Sequence, residues 1–372
     1  VILLIDLGSL AYGHAVCLTD NDGWTTLLRF TARQLTAYEK TPQFTAFSRQ
    51  TAGIGLRFLT DGDEIRFFCR LAPRIDLIKA FASTTPEWIA QIKNGRERAV
   101  SYNHDRVVKR IWLRNSVRSA ISMNVFELLI DGRSVALVKA IKGEIIITFD
   151  NPDRKTHQVD LLFPLLEGVA IKDFSVSGTV EQLIESRPRM LCLGDSITQG
   201  CLAAHPAQTY VRQLADRLNY EAINQGIAGC RYLPEHLAGI EDIPEPRLIT
   251  VAYGTNDWDS LLTRSEIQAN IRAYYQQLHD KFPGKPIYVI TPIWRADMNE
   301  PRPSGDFSVI RRIIEAEAAQ WQNMSVIDGL SISPHEEAFF GDIYLHPNDR
   351  GFTYIADNLA DRFGKNHPAA PA

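Results

Sequence analysis

The amino-acid sequence predicts an α/β protein, a doubly wound parallel sheet preceded by an antiparallel, jelly-roll-like β-sandwich. Three observations carry that expectation. Residues 1–180 are dense in short β-type segments separated by Asp-Gly and Pro turn signals. Composition changes at Ser186-Arg187-Pro188. Beyond that point, apolar strands alternate with amphipathic helical stretches. The expected units are a sandwich over 1–180 and a second domain over 188–366.

In the first half, LRFLT (56–60), EIRFFCRL (64–71) and IDLIKAFA (75–82) read as strands. VFELLIDGRSVALV (125–138) is two apolar runs around Asp131-Gly132, a hairpin signature. EIIITF (144–149), QVDLLFP (158–164) and VAIKDFSVSG (169–178) continue the series, while the polar stretch 93–109 reads as a loop or exposed edge. The opening VILLIDLGSL reads as a buried strand, since it lacks a basic leader segment and is broken by Asp6 and Gly8.

In the second half, MLCLG (190–194) is a strand ending in Gly and TYVRQLADRLN (209–219) an amphipathic helix. EAINQGIAG (221–229) and LITVAYG (248–254) supply two more strands with their following loops. The stretch 264–282 places Ile267, Ile271, Tyr274 and Leu278 on one helical face. PIYVITPIW (286–294) and MSVIDG (324–329) are strands flanking a helix at 306–322, and a helix at 351–363 closes the chain. Five strands alternating with helices make a parallel sheet covered on both faces. Such a sheet places its sites just beyond the carboxyl ends of the strands.

The charge balance excludes some classes of function. With 45% hydrophobic and 23% charged residues the chain has the composition of a soluble globular protein. A net charge of −4 gives no basic field for nucleic acid or an anionic membrane. No apolar run reaches the roughly 20 residues a bilayer span requires. The five cysteines contain no CxxC pair, so neither a zinc site nor a disulfide framework is expected, and reduced thiols point to a cytoplasmic location. Secretion stays open as an alternative, because the sequence starts at Val1 rather than at Met.

Four short segments fall where chemistry is expected, after strands or in the last loop: GDSITQG (194–200), NQGIAG (224–229), YGTND (253–257) and DIYLHPND (342–349). Ser196 sits at a strand-to-helix turn. Its hydroxyl needs a neighbouring base to become a nucleophile, and His346 is the candidate. The N–H groups of Ser196 and Gly229 and the side-chain amide of Asn256 could stabilise a developing oxyanion.

With these residues in place, the sequence resembles the SGNH (GDSL-type) hydrolase family over roughly residues 188–363. The matching positions are Ser196 in GDSIT, Gly229 in NQGIAG, Asn256 in GTND and His346 in LHPND. The resemblance implies a flavodoxin-like sheet, a shallow site, hydrolysis of esters, and neither metal nor cofactor. It points to bacterial members with an N-terminal β-rich domain, among them carbohydrate O-deacetylases. The expected substrate is a small-molecule or glycan ester, with no nucleic-acid or membrane partner.

One position departs from the pattern. The family usually places its acidic residue three positions before the histidine, where this chain has Ile343; Asp342 lies four before. Either Asp342 still orients His346 as third member of a triad, or a backbone carbonyl does so and the unit is a dyad.

Each residue also has a structural reading. Ser196 could cap a helix, Asn256 could close an Asx-turn, and His346 could be an ordinary loop histidine. Trp258 and Trp294 follow strand ends and are candidate pocket walls, although aromatic residues more often fill cores. His104, His157, His205, His236 and His335 show no metal-ligand spacing. Two other functions compete: a lipase, lysophospholipase or thioesterase on the same scaffold, and a carbohydrate-binding protein whose hydrolase site has decayed.

Overall fold

The computed structural model describes residues 5–72, 124–183, 187–300 and 302–366. The expected strand at 75–82 and loop at 93–109 lie outside these residues. In the first half the strands are Ala11–Tyr12 (β1), Val16–Thr19 (β2), Thr25–Leu28 (β3), Gly55–Thr60 (β4), Glu64–Leu71 (β5) and Val125–Ile130 (β6). They continue with Arg133–Lys139 (β7), Gly143–Thr148 (β8), His157–Leu162 (β9), Val169–Val176 (β10) and Glu181–Gln182 (β11). One sheet runs β1-β4-β9-β6-β7 with β11 beside β4, and the other runs β2-β3-β10-β5-β8. Neighbouring strands are antiparallel throughout both sheets.

The two sheets form a sandwich by burying apolar side chains between them, and on β5 and β8 burial alternates strictly. On β5, Ile65, Phe67 and Cys69 are buried while Arg66, Phe68 and Arg70 face outward. Phe58 and Phe126 of one sheet meet Phe174 and Phe67 of the other at ring separations of 5.8 and 5.1 Å. The hairpin expected at Asp131-Gly132 is present, and both residues have positive φ (49° and 78°), as a type I′ turn requires.

The second half contains Arg189–Gly194 (β12), Glu221–Gly226 (β13), Leu248–Ala252 (β14), Ile287–Ile290 (β15) and Met324–Ile327 (β16). They form a parallel sheet in the order β13-β12-β14-β15-β16, the flavodoxin-like arrangement. Leu191 and Leu193 point into one apolar layer with the helices Arg264–Lys281 and Phe307–Ala318. Met190 and Cys192 point into the other, with the helices Tyr210–Leu218 and Asp349–Asn366. Strand order steps to either side of β12, so the switch point lies at the carboxyl ends of β12, β13 and β14.

Two features differ from the sequence reading. Leu7–Leu10, expected within a strand, is a helical turn capped by Asp6, whose carboxylate accepts from Gly8 N at 3.0 Å. Residues 29–51, expected to be β-rich, carry the helices Ala32–Tyr38 and Pro42–Phe47. The first starts with a capping box between Thr31 and Gln34. Phe30, Tyr38, Phe44 and Phe47 then bury themselves in the core of the parallel-sheet layer rather than in the sandwich. These helices are too short for a sequence period to declare them, and their apolar partners lie about 200 residues away.

Arg29 binds this segment to the sheet. Its fully buried guanidinium donates to the carbonyls of Asn224 and Gly226 (both 2.8 Å) at the end of β13. It also donates to Gln50 O at 2.7 Å and Phe47 O at 3.0 Å. Burial lowers its pKa to about 9. Among the described residues no helix is long and apolar enough to cross a membrane.

Candidate active site

Strand register brings three of the four motif segments together. Gly194 at the end of β12 pairs with Gly226 of β13 on one side and Ala252 of β14 on the other. Ser196, Gly229 and Asn256 therefore leave the sheet at adjacent points on its carboxyl edge. Gly194 is required by close approach: a Cβ there would lie 2.0 Å from Thr198 Oγ1. Asp195 caps the helical turn Ser196–Gln199, accepting from Ile197 N at 2.9 Å. Burial pushes its carboxyl up to about 6, with the Ile197 hydrogen bond and the His346 charge opposing.

The last loop supplies the partners. His346 Nε2 lies 2.8 Å from Ser196 Oγ, and His346 Nδ1 lies 2.7 Å from Asp342 Oδ2. The second Asp342 oxygen accepts from the backbone N–H groups of Tyr344, Leu345 and His346 at 2.9–3.0 Å. Burial works to raise the Asp342 pKa, but the His346 charge and these hydrogen bonds outweigh it and hold the carboxyl below its ordinary value. The extra residue between acid and histidine is absorbed by the backbone. Ile343 adopts φ +57° with half its surface exposed. That conformation is rare for a β-branched residue, and it keeps Asp342 within reach of the ring.

At the opposite wall, Gly229 has φ +78°. Among the described residues, neither its N–H nor that of Ser196 reaches a protein acceptor. Asn256 Nδ2 donates to Cys230 O at 3.0 Å, tying the loop after β14 to the loop after β13. An amide nitrogen carries two hydrogens, so this bond leaves one for another acceptor. Asp257 Oδ1 accepts from Tyr232 N at 3.2 Å, while Oδ2 is buried without a hydrogen-bond partner. Burial pushes this carboxyl up to about 7.

The two tryptophans occupy different places. Trp294 is half-buried and packs on Phe340, with ring centres 4.8 Å apart, next to the His346 loop. Trp258 is wholly buried, its Nε1 donating to Gly305 O at 3.0 Å, so it fills the core beneath the site rather than lining a cleft. It lies between Arg295 and Arg302, whose guanidinium carbons sit 5.0 and 4.6 Å from its ring centre. Arg295 was not legible as a site residue. It pairs with Asp297, donates to Thr255 Oγ1 at 3.0 Å and to Tyr344 Oη at 2.8 Å. It thereby joins the Asn256 turn to the Asp342–His346 loop. A lone Arg after a strand carries no signal in the sequence, since its partners Thr255 and Tyr344 come from distant segments.

Among the described residues no three His, Cys, Asp or Glu side chains converge as a metal site would require. His157 and His205 instead pair with Asp131 and Glu127 at 2.7 and 2.8 Å.

A flavodoxin-like sheet with these four segments at its switch point has the make-up of an ester hydrolase, and acyl ester hydrolysis is the chemistry it supports. The chain carries a GDSL-like lipase/acylhydrolase domain, matched over residues 192–353. Solved structures resemble it over nearly its whole length. A salicylyl-acyltransferase from a tetracycline biosynthetic pathway superposes with a TM-score of 0.72 at 17% identity, covering 97% of this chain and 96% of its own. A family two carbohydrate esterase from Cellvibrio japonicus gives 0.61 at 14% identity, over 95% and 94%. An acetyl xylan esterase from Butyrivibrio proteoclasticus gives 0.56 at 14%, over 85% and 90%. At such identities the likeness is one of fold. No curated protein sequence matches the chain.

Proposed function

We propose that this protein is a serine esterase that removes a short acyl group, acetyl foremost, from a carbohydrate or another polar alcohol. The observation that carries the reading is the continuous hydrogen-bonded line from Ser196 through His346 to Asp342, at 2.8 and 2.7 Å. Ser196 Oγ attacks the ester carbonyl as His346 Nε2 takes its proton. The N–H groups of Ser196 and Gly229 and the Asn256 amide receive the oxyanion, each contributing about 2.7–4 kcal/mol. The tetrahedral intermediate collapses, the alcohol leaves with the proton from His346, and Ser196 remains acylated. Water then attacks the acyl-enzyme, giving its proton to His346, and the second collapse releases the carboxylic acid and restores Ser196. Asp342 holds the ring tautomer and stabilises the imidazolium.

The polar-alcohol part draws support from the two structural relatives described as carbohydrate and acetyl xylan esterases. The reading assigns residues 188–366 to the catalytic unit and 1–180 to the sandwich, whose segment 29–51 walls the site.

The test is hydrolysis of p-nitrophenyl esters of increasing chain length by the intact protein and by Ser196→Ala. Acetate turned over fastest, with activity gone in the variant, is the expected result. Equal rates in both proteins would remove Ser196 as nucleophile. Preference for long chains would favour the lipase or thioesterase reading. Glycan binding without turnover of any ester would favour a decayed site.

A further inference from the structure

The oxyanion wall is built partly from outside the α/β unit. Ala228 precedes Gly229, and both of its backbone groups are held by glutamine side chains. Its N–H donates to Gln199 Oε1 at 2.8 Å, and Gln199 in turn donates to Gln50 Oε1. Its carbonyl accepts from Gln43 Nε2 at 3.2 Å. Gln43 lies in the helix Pro42–Phe47, is 7% exposed, and touches the glycine itself. A Cβ on Gly229 would stand 2.6 Å from Gln43 Nε2.

The Ala228 carbonyl and the Gly229 N–H belong to one planar peptide and point in opposite directions. Whatever holds the carbonyl sets the direction of that N–H. Gln43 holds it from the side facing the N-terminal segment, and the Gly229 N–H on the other side has no acceptor among the described residues.

We propose that Gln43 is a positioning residue for the oxyanion hole: by holding the Ala228 carbonyl it aims the Gly229 N–H at the developing oxyanion. This rests on the reading of Gly229 as an oxyanion donor. Gln50, acting through Gln199, fixes the other end of the same residue. The N-terminal segment thus takes part in transition-state binding without touching the substrate.

The test uses the full chain, p-nitrophenyl acetate, and a boronic acid that forms a tetrahedral adduct with the serine. In Gln43→Ala and Gln43→Glu, kcat falls about 3- to 10-fold, as expected for loss of one orienting hydrogen bond. KM stays within about twofold, and the boronate inhibition constant rises by the same factor as kcat falls. Glutamate keeps the shape but cannot donate when ionised, so it behaves like alanine. Asn256→Ala serves as reference for direct loss of an oxyanion donor. If Asn256→Ala weakens boronate binding and both Gln43 variants leave it unchanged, Gln43 has no positioning role, even if the thermal midpoint drops. If no variant moves the boronate constant, the oxyanion assignment itself fails.

Discussion

The sandwich strand β5 and the parallel strand β12 bury their residues by different rules. In β5, buried and exposed positions alternate, whereas β12 is buried at every position after Arg189. The β5 strand has a solvated outer face, while a parallel strand between two helical layers has none. The consequence is chemical. Along the sandwich strands, side chains have only faces on which to act, but the parallel sheet leaves its carboxyl edge open. Ser196, Gly229 and Asn256 all emerge there. The segment 29–51 belongs by sequence to the first system and by packing to the second.

After loss of the nucleophile itself, the largest effect expected within the catalytic half comes from Asp342→Asn. With the triad reading, kcat falls by about 10²- to 10⁴-fold through the wrong His346 tautomer, while the thermal midpoint moves little. A loss below about threefold in single-substrate kinetics would leave a Ser–His dyad. Asp342 would then be a loop staple for the N–H groups of residues 344–346.

Arg29→Met tests whether the two systems are separate. The substitution strips Asn224, Gly226, Gln50 and Phe47 carbonyls of a buried donor. A destabilisation of about 3 kcal/mol or more is expected in urea unfolding, with sandwich and sheet probes shifting together. Transitions that separate in the wild-type protein would show that the halves fold independently and that segment 29–51 only rests on the sheet.

Ile343→Gly addresses the extra residue in the histidine loop. Relief of the left-handed strain, worth about 1–2 kcal/mol, exceeds the entropy cost of glycine, about 0.5–1 kcal/mol. The expected outcome is a thermal midpoint raised by a few degrees with kcat unchanged. Lower activity with higher stability would instead show that the strain helps to place His346.

The smallest effect lies at the seam. His205 in the loop after the nucleophile pairs with the buried Glu127 of β6 at 2.8 Å. The adjoining Glu127 carboxylate raises the His205 pKa above its ordinary 6.5, against the lowering effect of burial. Its contribution to stability is therefore complete below 6.5 and disappears as pH rises through the folded-state value. Between pH 6 and 9, wild type should lose slightly more thermal stability than His205→Gln. Parallel curves would show that the pair contributes nothing.

Much of this was legible because it is periodic or clustered. Strands such as Glu64–Leu71 and the helix Arg264–Lys281 announce themselves through alternation and 3.6-residue spacing. The motif segments announce themselves by following strands. Three kinds of feature were not legible. Short elements such as Ala32–Tyr38 carry too few residues for a period. Arg295 and Gln43 acquire their partners only when distant loops meet. Trp258 looked like a pocket wall because it follows a strand, yet the following turn carries it inward onto Phe307.

The sequence alone determined that a parallel sheet follows a β-rich half, and that a serine, a glycine, an asparagine and a histidine stand at its loop positions. Local rules suffice for that, since period and turn chemistry act over a few residues. Only the tertiary structure decided that Asp342 meets His346 despite the added residue, because a single backbone rotation at Ile343 settles it. It also decided that Arg29 of the first half reaches the end of β13 and Gln43 the loop after it. Those contacts depend on how two cores pack against each other, and no pattern within either segment encodes the partner.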